Sequence, residues 1–231
     1  MKKFSKRFQI LQNLISNKNY SYVEAIQLLK SIGTTNFLES VETHINLNID
    51  PKYLNQQLRT TLILPYGTGK TTRIGVYTNL DLTNFFNLDK NIIIGINEIT
   101  DMIVKNKLEL DVLITTPDLM SQLSKFGKIL GPKGLMPSLK SGTVTNDLIQ
   151  TINEFKLGKF EYRADKTGIV HVVIGKTNFS ELQLKENLFS IYSSIEKNKP
   201  LGIKGQYFKS FYLCTTMSPS IQIDLGSLKK F

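Results

Sequence analysis

The 231-residue chain is poor in the side chains from which metal clusters and nucleophilic active sites are built. It has one cysteine, Cys214, and two histidines, His44 and His171. A single cysteine excludes an internal disulfide framework and a cysteine-rich zinc site, and with so few histidines a structural metal is not expected. Carboxylates are scattered, with no close pair in a glycine-rich setting. No apolar run approaches the roughly 20 residues that a membrane helix requires. The opening residues, MKKFSKRFQILQNL, are basic but lack a hydrophobic block followed by a small-residue cleavage site, so they do not read as a secretory signal. Internal repeats and low-complexity tracts are missing as well. Catalytic residues, a metal, a cofactor and a membrane partner are all unexpected.

Acidic residues are also in deficit, 19 against 29 Lys and Arg, which leaves a net charge of +10 and points to a polyanionic partner. The excess is unevenly spread. Residues 70–158 hold 10 basic and 9 acidic side chains, whereas the two outer segments hold 19 and 10. Such asymmetry favours one basic binding module with a near-neutral insert. A hydrophobic content of 41% is enough to build cores in both.

Along the chain, residues 5–16 read as a short basic-faced helix. Ser21 has the position of an N-cap, with Glu24 three residues later completing a capping box for a helix that stops near Gly33. From Val41 the period becomes two. Val41, Thr43, Ile45, Leu47 and Ile49 share one face and Glu42, His44, Asn46 and Asn48 the other, the pattern of a half-buried strand. Asp50-Pro51 is a turn, and 58–64 a second strand. The texture then changes. Strands at 74–77 and 112–115 alternate with helices at 98–105 and 146–155, and Pro117 stands in the first turn of another helix with Thr116 as its cap. This alternation predicts βαβ units around a small parallel sheet. Gly158 marks the exit. Period two then returns at 159–163 and 169–174, joined by the turn Asp165-Lys166-Thr167-Gly168. A helix follows at 180–197, then strands at 207–216 and 220–224. Strands like those of the first third reappear only in the last third. The fold class is therefore α/β with two domains: a discontinuous α+β binding domain, 1–69 with 159–231, and an inserted Rossmann-like βαβ domain, 70–158.

Three segments invite a chemical reading. Gly67-Thr68-Gly69-Lys70-Thr71 imitates a P-loop, but the position five residues before the Gly-Lys pair is Leu64, and a strand follows instead of a helix. Gly67 and Gly69 instead suit a crossover between domains. A Cys-His nucleophile pair would need Cys214 beside His44 or His171, and Cys214 reads as a small core side chain. The tip Thr215-Thr216-Met217-Ser218-Pro219-Ser220 places hydroxyls around a flexible apolar side chain, a mixture that can bond RNA sugars and phosphates and pack on a base. Taken alone it reads first as a plain strand-connecting turn, and Phe37, just before a strand, as a core residue.

The most distinctive stretch is GKILGPKGLMPSLKSGTVTN, residues 127–146. Proline pushes Gly131 toward extended backbone, Gly134 is free to take positive φ, and Ile129, Leu130, Leu135 and Met136 still need burial. A shaped loop is expected, not a linker. This string resembles the signature loop of the large-subunit ribosomal protein L-one family. Lys6-Arg7, FLESVE (37–42), NIDPKYLNQQLR (48–59), LPYGTGKTTR (64–73), TTPDLM (115–120), EYRADKTGIVH (161–171), KENL (185–188), IKGQYFKS (203–210) and TTMSPS (215–220) extend the resemblance from end to end. It implies a two-domain protein whose terminal segments grip ribosomal RNA in the mobile stalk near the tRNA exit site, monomeric within the ribosome and assisting release of deacylated tRNA. It implies RNA-facing residues at Phe37, Ser40, Thr215, Thr216, Met217 and Ser218, with supporting contacts from Lys6, Arg7, Glu42, His171 and Ser210. It also raises repression through the leader of its own messenger RNA. A free-standing RNA-binding regulator is the alternative.

The chain departs from the family pattern at Ser218, where glycine is usual, at Leu139, where proline is common, and at Asn36, which replaces a frequent lysine. Residues 80–97 are rich in Asn, Phe, Leu and Ile where an alanine-rich helix is expected. An Asn/Ile/Lys/Phe excess fits an AT-rich genome, and the match from the first residues leaves no room for a transit peptide. DPKY, QQLR, RADKTGIVHV and PSIQIDL resemble the plastid and cyanobacterial branch. A plastid ribosome is therefore expected, with bacterial cytoplasm as the alternative.

Overall fold

A computed structural model describes residues 4–16, 18–80, 89–105, 107–200, 202–203 and 205–228. The chain divides into two compact units, one formed by Met1–Gly69 with Tyr162–Phe231 and the other by Lys70–Glu161. The fold is α/β.

The outer unit is built on a four-stranded sheet in the order β7-β1-β8-β9, with β1 at Ser40–Leu47, β7 at Ile169–Lys176, β8 at Phe208–Thr215 and β9 at Ile221–Ile223. Its ladders are antiparallel. The alternation read in 41–47 is realised residue by residue: Val41, Thr43, Ile45 and Leu47 are buried while the intervening side chains are partly exposed. The inward face packs with Ala25, Ile26, Leu29 and Ile32 of helix α2 (Tyr22–Ile32) and with the long helix Glu181–Lys197, which buries Leu184, Leu188, Ile191 and Ile195. Ser21 caps α2 by accepting from the Glu24 N–H. The full reciprocal box is at Ser180 and Gln183, at the head of the long helix. Tyr20 joins the C-terminal strand: its N–H donates to Gln222 O and its carbonyl accepts from Asp224 N. Asn187, fully buried, donates to Gly67 O and Ile174 O and accepts from Tyr66 N, which pins the glycine crossover that imitated a P-loop. Strand β2 (Arg59–Ile63) pairs with β6 (Lys159–Arg163) as a separate two-stranded ladder.

The inserted unit has a parallel three-stranded sheet in the order β4-β3-β5, with β3 at Ile74–Tyr77, β4 at Ile92–Ile94 and β5 at Val112–Thr115. Both faces are covered, so its strands read as near-continuous apolar runs. Tyr77 and Leu113 face a cluster containing Ile99 and Ile103 of helix Ile96–Val104 together with Leu123, Leu130 and Leu135. Ile74, Val76 and Ile114 face Leu148, Ile152 and Phe155 of helix Leu148–Lys156. Residues 81–88, within the stretch where an alanine-rich helix is expected, lie outside the described residues. This unit runs three residues past Gly158, to Glu161, and Lys159 at its end pairs with Glu154 at 2.7 Å and lies over the Phe155 ring.

One local expectation is corrected and a second holds in position only. Gly131 is helical, with φ −59° and ψ −56°, and closes the short helix Gly127–Leu130 by donating to Gly127 O. Without a Cβ it escapes part of the clash that Pro132 imposes on its predecessor. Thr116 precedes a 3-10 turn, Pro117–Leu119, as its N-cap but makes no side-chain capping bond. Gly134 has the positive φ expected of it, +71°, and Leu130 and Leu135 are buried.

Candidate nucleic-acid interface

One end of the outer sheet joins segments some 175 residues apart in sequence. The N–H of Ser40 donates to Thr216 Oγ1, and the N–H of Thr216 donates back to the Ser40 carbonyl, both at 3.2 Å. Beyond this clasp the chain turns: Thr215 N donates to Ser218 Oγ at 2.8 Å and Ser218 N to the Thr215 carbonyl. Phe37 and Met217 are 55% and 50% exposed here, neither absorbed into the core. Two apolar side chains held open on a hydroxyl-rich tip suit packing on a base or sugar.

Beneath the tip is a group that the sequence analysis missed. Glu39 is only 1% exposed, and its carboxylate accepts from Thr35 Oγ1 at 2.5 Å and from Met217 N at 3.3 Å. Arg7, on helix α1 (Lys6–Leu14), stands 3.6 Å away and also donates from Nε to Thr34 Oγ1. Burial pushes the Glu39 pKa up. The polar Thr215, Thr35 and Met217 N–H and the Arg7 charge together outweigh burial and hold it below the ordinary 4.5. The signal was legible: Glu39 continues the inward phase of 41, 43, 45 and 47, where an acid needs partners. Thr215 corrects its expected role. Its side chain is 2% exposed, near the carboxylate but outside hydrogen-bond geometry, so it lies under the tip and is not on its surface. The Ser218 hydroxyl accepts from Thr215 N and donates to the Pro219 carbonyl, so it closes the turn. Lys6 is exposed on α1 beside Arg7.

The remaining expected residues, Glu42, His171 and Ser210, lie on the outward face of the sheet, beside His44, Tyr212 and Cys214. Glu42 and His44 on β1, His171 on β7, and Ser210, Tyr212 and Cys214 on β8 are all partly or fully exposed. His171 pairs in register with His44, and Ser210 pairs with Asn46 further along β1, away from the tip. Cys214, read as core, lies on this face because Phe211 and Leu213 take the inward phase. Its Sγ is 3.1 Å from His44 Nε2, and His44 Nδ1 is 2.7 Å from His171 Nδ1. Burial and then the neighbouring His171 lower the His44 pKa, with Glu42 opposing, which favours the neutral ring. Burial and the Glu42 charge push the Cys214 thiol up to about 11, so it is a poor nucleophile.

Residues 28–219 match the model of the ribosomal protein L1p/L10e family. The chain belongs to this family. It is a family of structural ribosomal proteins, and the chain is not an enzyme. Similar proteins cover its whole length. The large ribosomal subunit protein uL1c of Guillardia theta is 52% identical over 230 residues, spanning 99% of this chain and 98% of its own. That of Phaeodactylum tricornutum is 53% identical over 228 residues, 97% and 98% of the two chains. The large ribosomal subunit protein uL1 of Thermosynechococcus vestitus is 48% identical over 230 residues, 100% and 97%. Among the described residues of this L1p/L10e member, no helix is long and apolar enough to cross a membrane.

Proposed function

We propose that the chain is a structural constituent of the large subunit of a plastid ribosome, and that its outer unit binds large-subunit ribosomal RNA. The observation that carries this reading is the clasp between Ser40 and Thr216, which presents Phe37 and Met217 together on the more basic part of the chain. In this reading Lys6, Arg7 and other cations supply affinity through phosphates. The tip, Phe37 with Ser40, Thr216 and Met217, supplies shape. Glu42, His171 and Ser210 extend the contact along the sheet. Ser218 and Thr215 act through the turn they hold. The finer role is assistance in releasing deacylated tRNA from the exit site, with the inserted unit as the part that does not grip the stalk RNA. A leader segment of its own messenger RNA, folded like the ribosomal site, would compete for the same tip.

The deciding experiment is sedimentation of the tagged chain with purified large subunits, together with binding to an isolated stalk RNA fragment. Co-migration and saturable binding are expected. A chain that binds RNA but stays at the top of the gradient is a free-standing regulator.

A further inference from the structure

The outward face of the outer sheet gathers ligating side chains that RNA contact does not use as a set. Glu42 and His44 are two residues apart on β1 and share a face, and Glu42 is the register partner of Cys214 on β8. A carboxylate, an imidazole and a thiol result, with ligand atoms all within 4.8 Å of one another. His44 Nε2 lies 3.1 Å from Cys214 Sγ and 4.0 Å from Glu42 Oε2. Tetrahedral zinc, with bonds of about 2.0–2.3 Å, holds its ligands roughly 3.3–3.6 Å apart. The two observed separations bracket that range, and the thiol and carboxylate lie within 4.8 Å of each other, so closing on an ion brings the Glu42 carboxylate inward.

A second observation concerns the other side of the imidazole. His44 Nδ1 meets His171 Nδ1 at 2.7 Å, and His171 Nε2 faces Asp165 Oδ2 at 3.7 Å. Asp165 is itself fixed by Thr167 and the Ile169 N–H. A metal-binding histidine commonly donates its second N–H to such an outer partner, which sets the tautomer and turns the ligating nitrogen to the ion. Here the chain Asp165–His171–His44 ends with Nε2 directed at the thiol and carboxylate.

We propose that Glu42, His44 and Cys214 form a binding site for zinc or a chemically similar divalent transition metal, with the fourth position open to solvent. Sulfur and imidazole favour such ions over calcium and magnesium, which prefer all-oxygen ligands. On binding, the thiol releases its proton to solvent and the thiolate donates to the ion. Imidazole and carboxylate add their lone pairs, and nothing is oxidised or reduced. Sequence spacing hides the site, because its donors come from strands 170 residues apart.

The test uses the RNA-free full chain, so it stands whether or not the RNA reading holds. Titration with cobalt(II) is expected to give one equivalent of tetrahedral d–d absorption with a thiolate-to-cobalt charge-transfer band, both displaced by zinc. Cys214→Ser should remove the charge-transfer band, and His171→Ala should retain it while weakening affinity about 10- to 100-fold. Zinc should also slow maleimide alkylation of wild-type Cys214, the sole cysteine, which needs no variant to fold. No charge-transfer band, or an alkylation rate indifferent to zinc, overturns the proposal.

Discussion

Met217 and Glu39 sit on either side of one turn and make opposite demands on it. Met217 is half exposed and its side chain is available to a ligand, while its backbone N–H is held by the Glu39 carboxylate. Met217→Asp sets a negative charge against phosphates without disturbing the core. Stalk RNA binding should fall by at least about 100-fold, roughly 3 kcal/mol, with the melting temperature unchanged. Unchanged affinity in a filter-binding assay removes the tip from the interface. Glu39→Gln should instead cost about 1–3 kcal/mol of stability, as charged hydrogen bonds within a buried site are lost. Because the folded Glu39 pKa lies below 4.5, its contribution is complete above that value and disappears as pH falls through the lower folded value. Urea titrations of wild type and Glu39→Gln should therefore differ at pH 6, and the gap should narrow steadily as the pH is lowered below 4.5. A gap that does not change with acidification rules out the carboxylate as its origin.

Among the elements, β1 was the most legible in the sequence, since one buried face enforces strict alternation and any slip would expose Val41, Ile45 and Leu47 together. The parallel insert was legible for the converse reason: both of its faces are covered, so its strands appear as short continuous apolar runs between helices. Cys214 was not, because a small apolar side chain fits either face of β8 and only the register decides. Tip residues divided similarly: Phe37 and Met217 stand open to solvent, whereas Thr215 turns inward, a choice set by strand phase. Gly131 was misread because a rule for the residue before proline assumes a Cβ. Its own environment gives a sharp test. A Cβ at 131 would lie 2.7 Å from the Gly127 carbonyl oxygen, an atom of the backbone. Glycine to alanine in a helix usually stabilises by up to about 1 kcal/mol. Gly131→Ala should have the opposite sign, losing about 1–3 kcal/mol through overpacking, as read by thermal unfolding. A stabilised variant would show that the loop relaxes at little cost.

For the molecule as a whole, charge and topology tell one story. The segments outside 70–158 carry almost all the positive excess, and the same segments weave the four-stranded sheet. If about five phosphates are neutralised on binding, the log–log dependence of affinity on salt should have a slope of about −3.5 to −4.5. A near-flat slope means that the phosphates do not dominate. The sheet order has a further consequence during synthesis. β1 lies between β7 and β8, so the first strand to leave the exit tunnel has no neighbour until more than a hundred further residues have been translated. The contiguous middle unit is free to fold first, as domains do when they emerge whole. A chain cut short before β8 has its middle unit complete, while β1 lacks one of its two neighbours and the Ser40–Thr216 clasp never closes, so the clasp reports that translation has run nearly to its end.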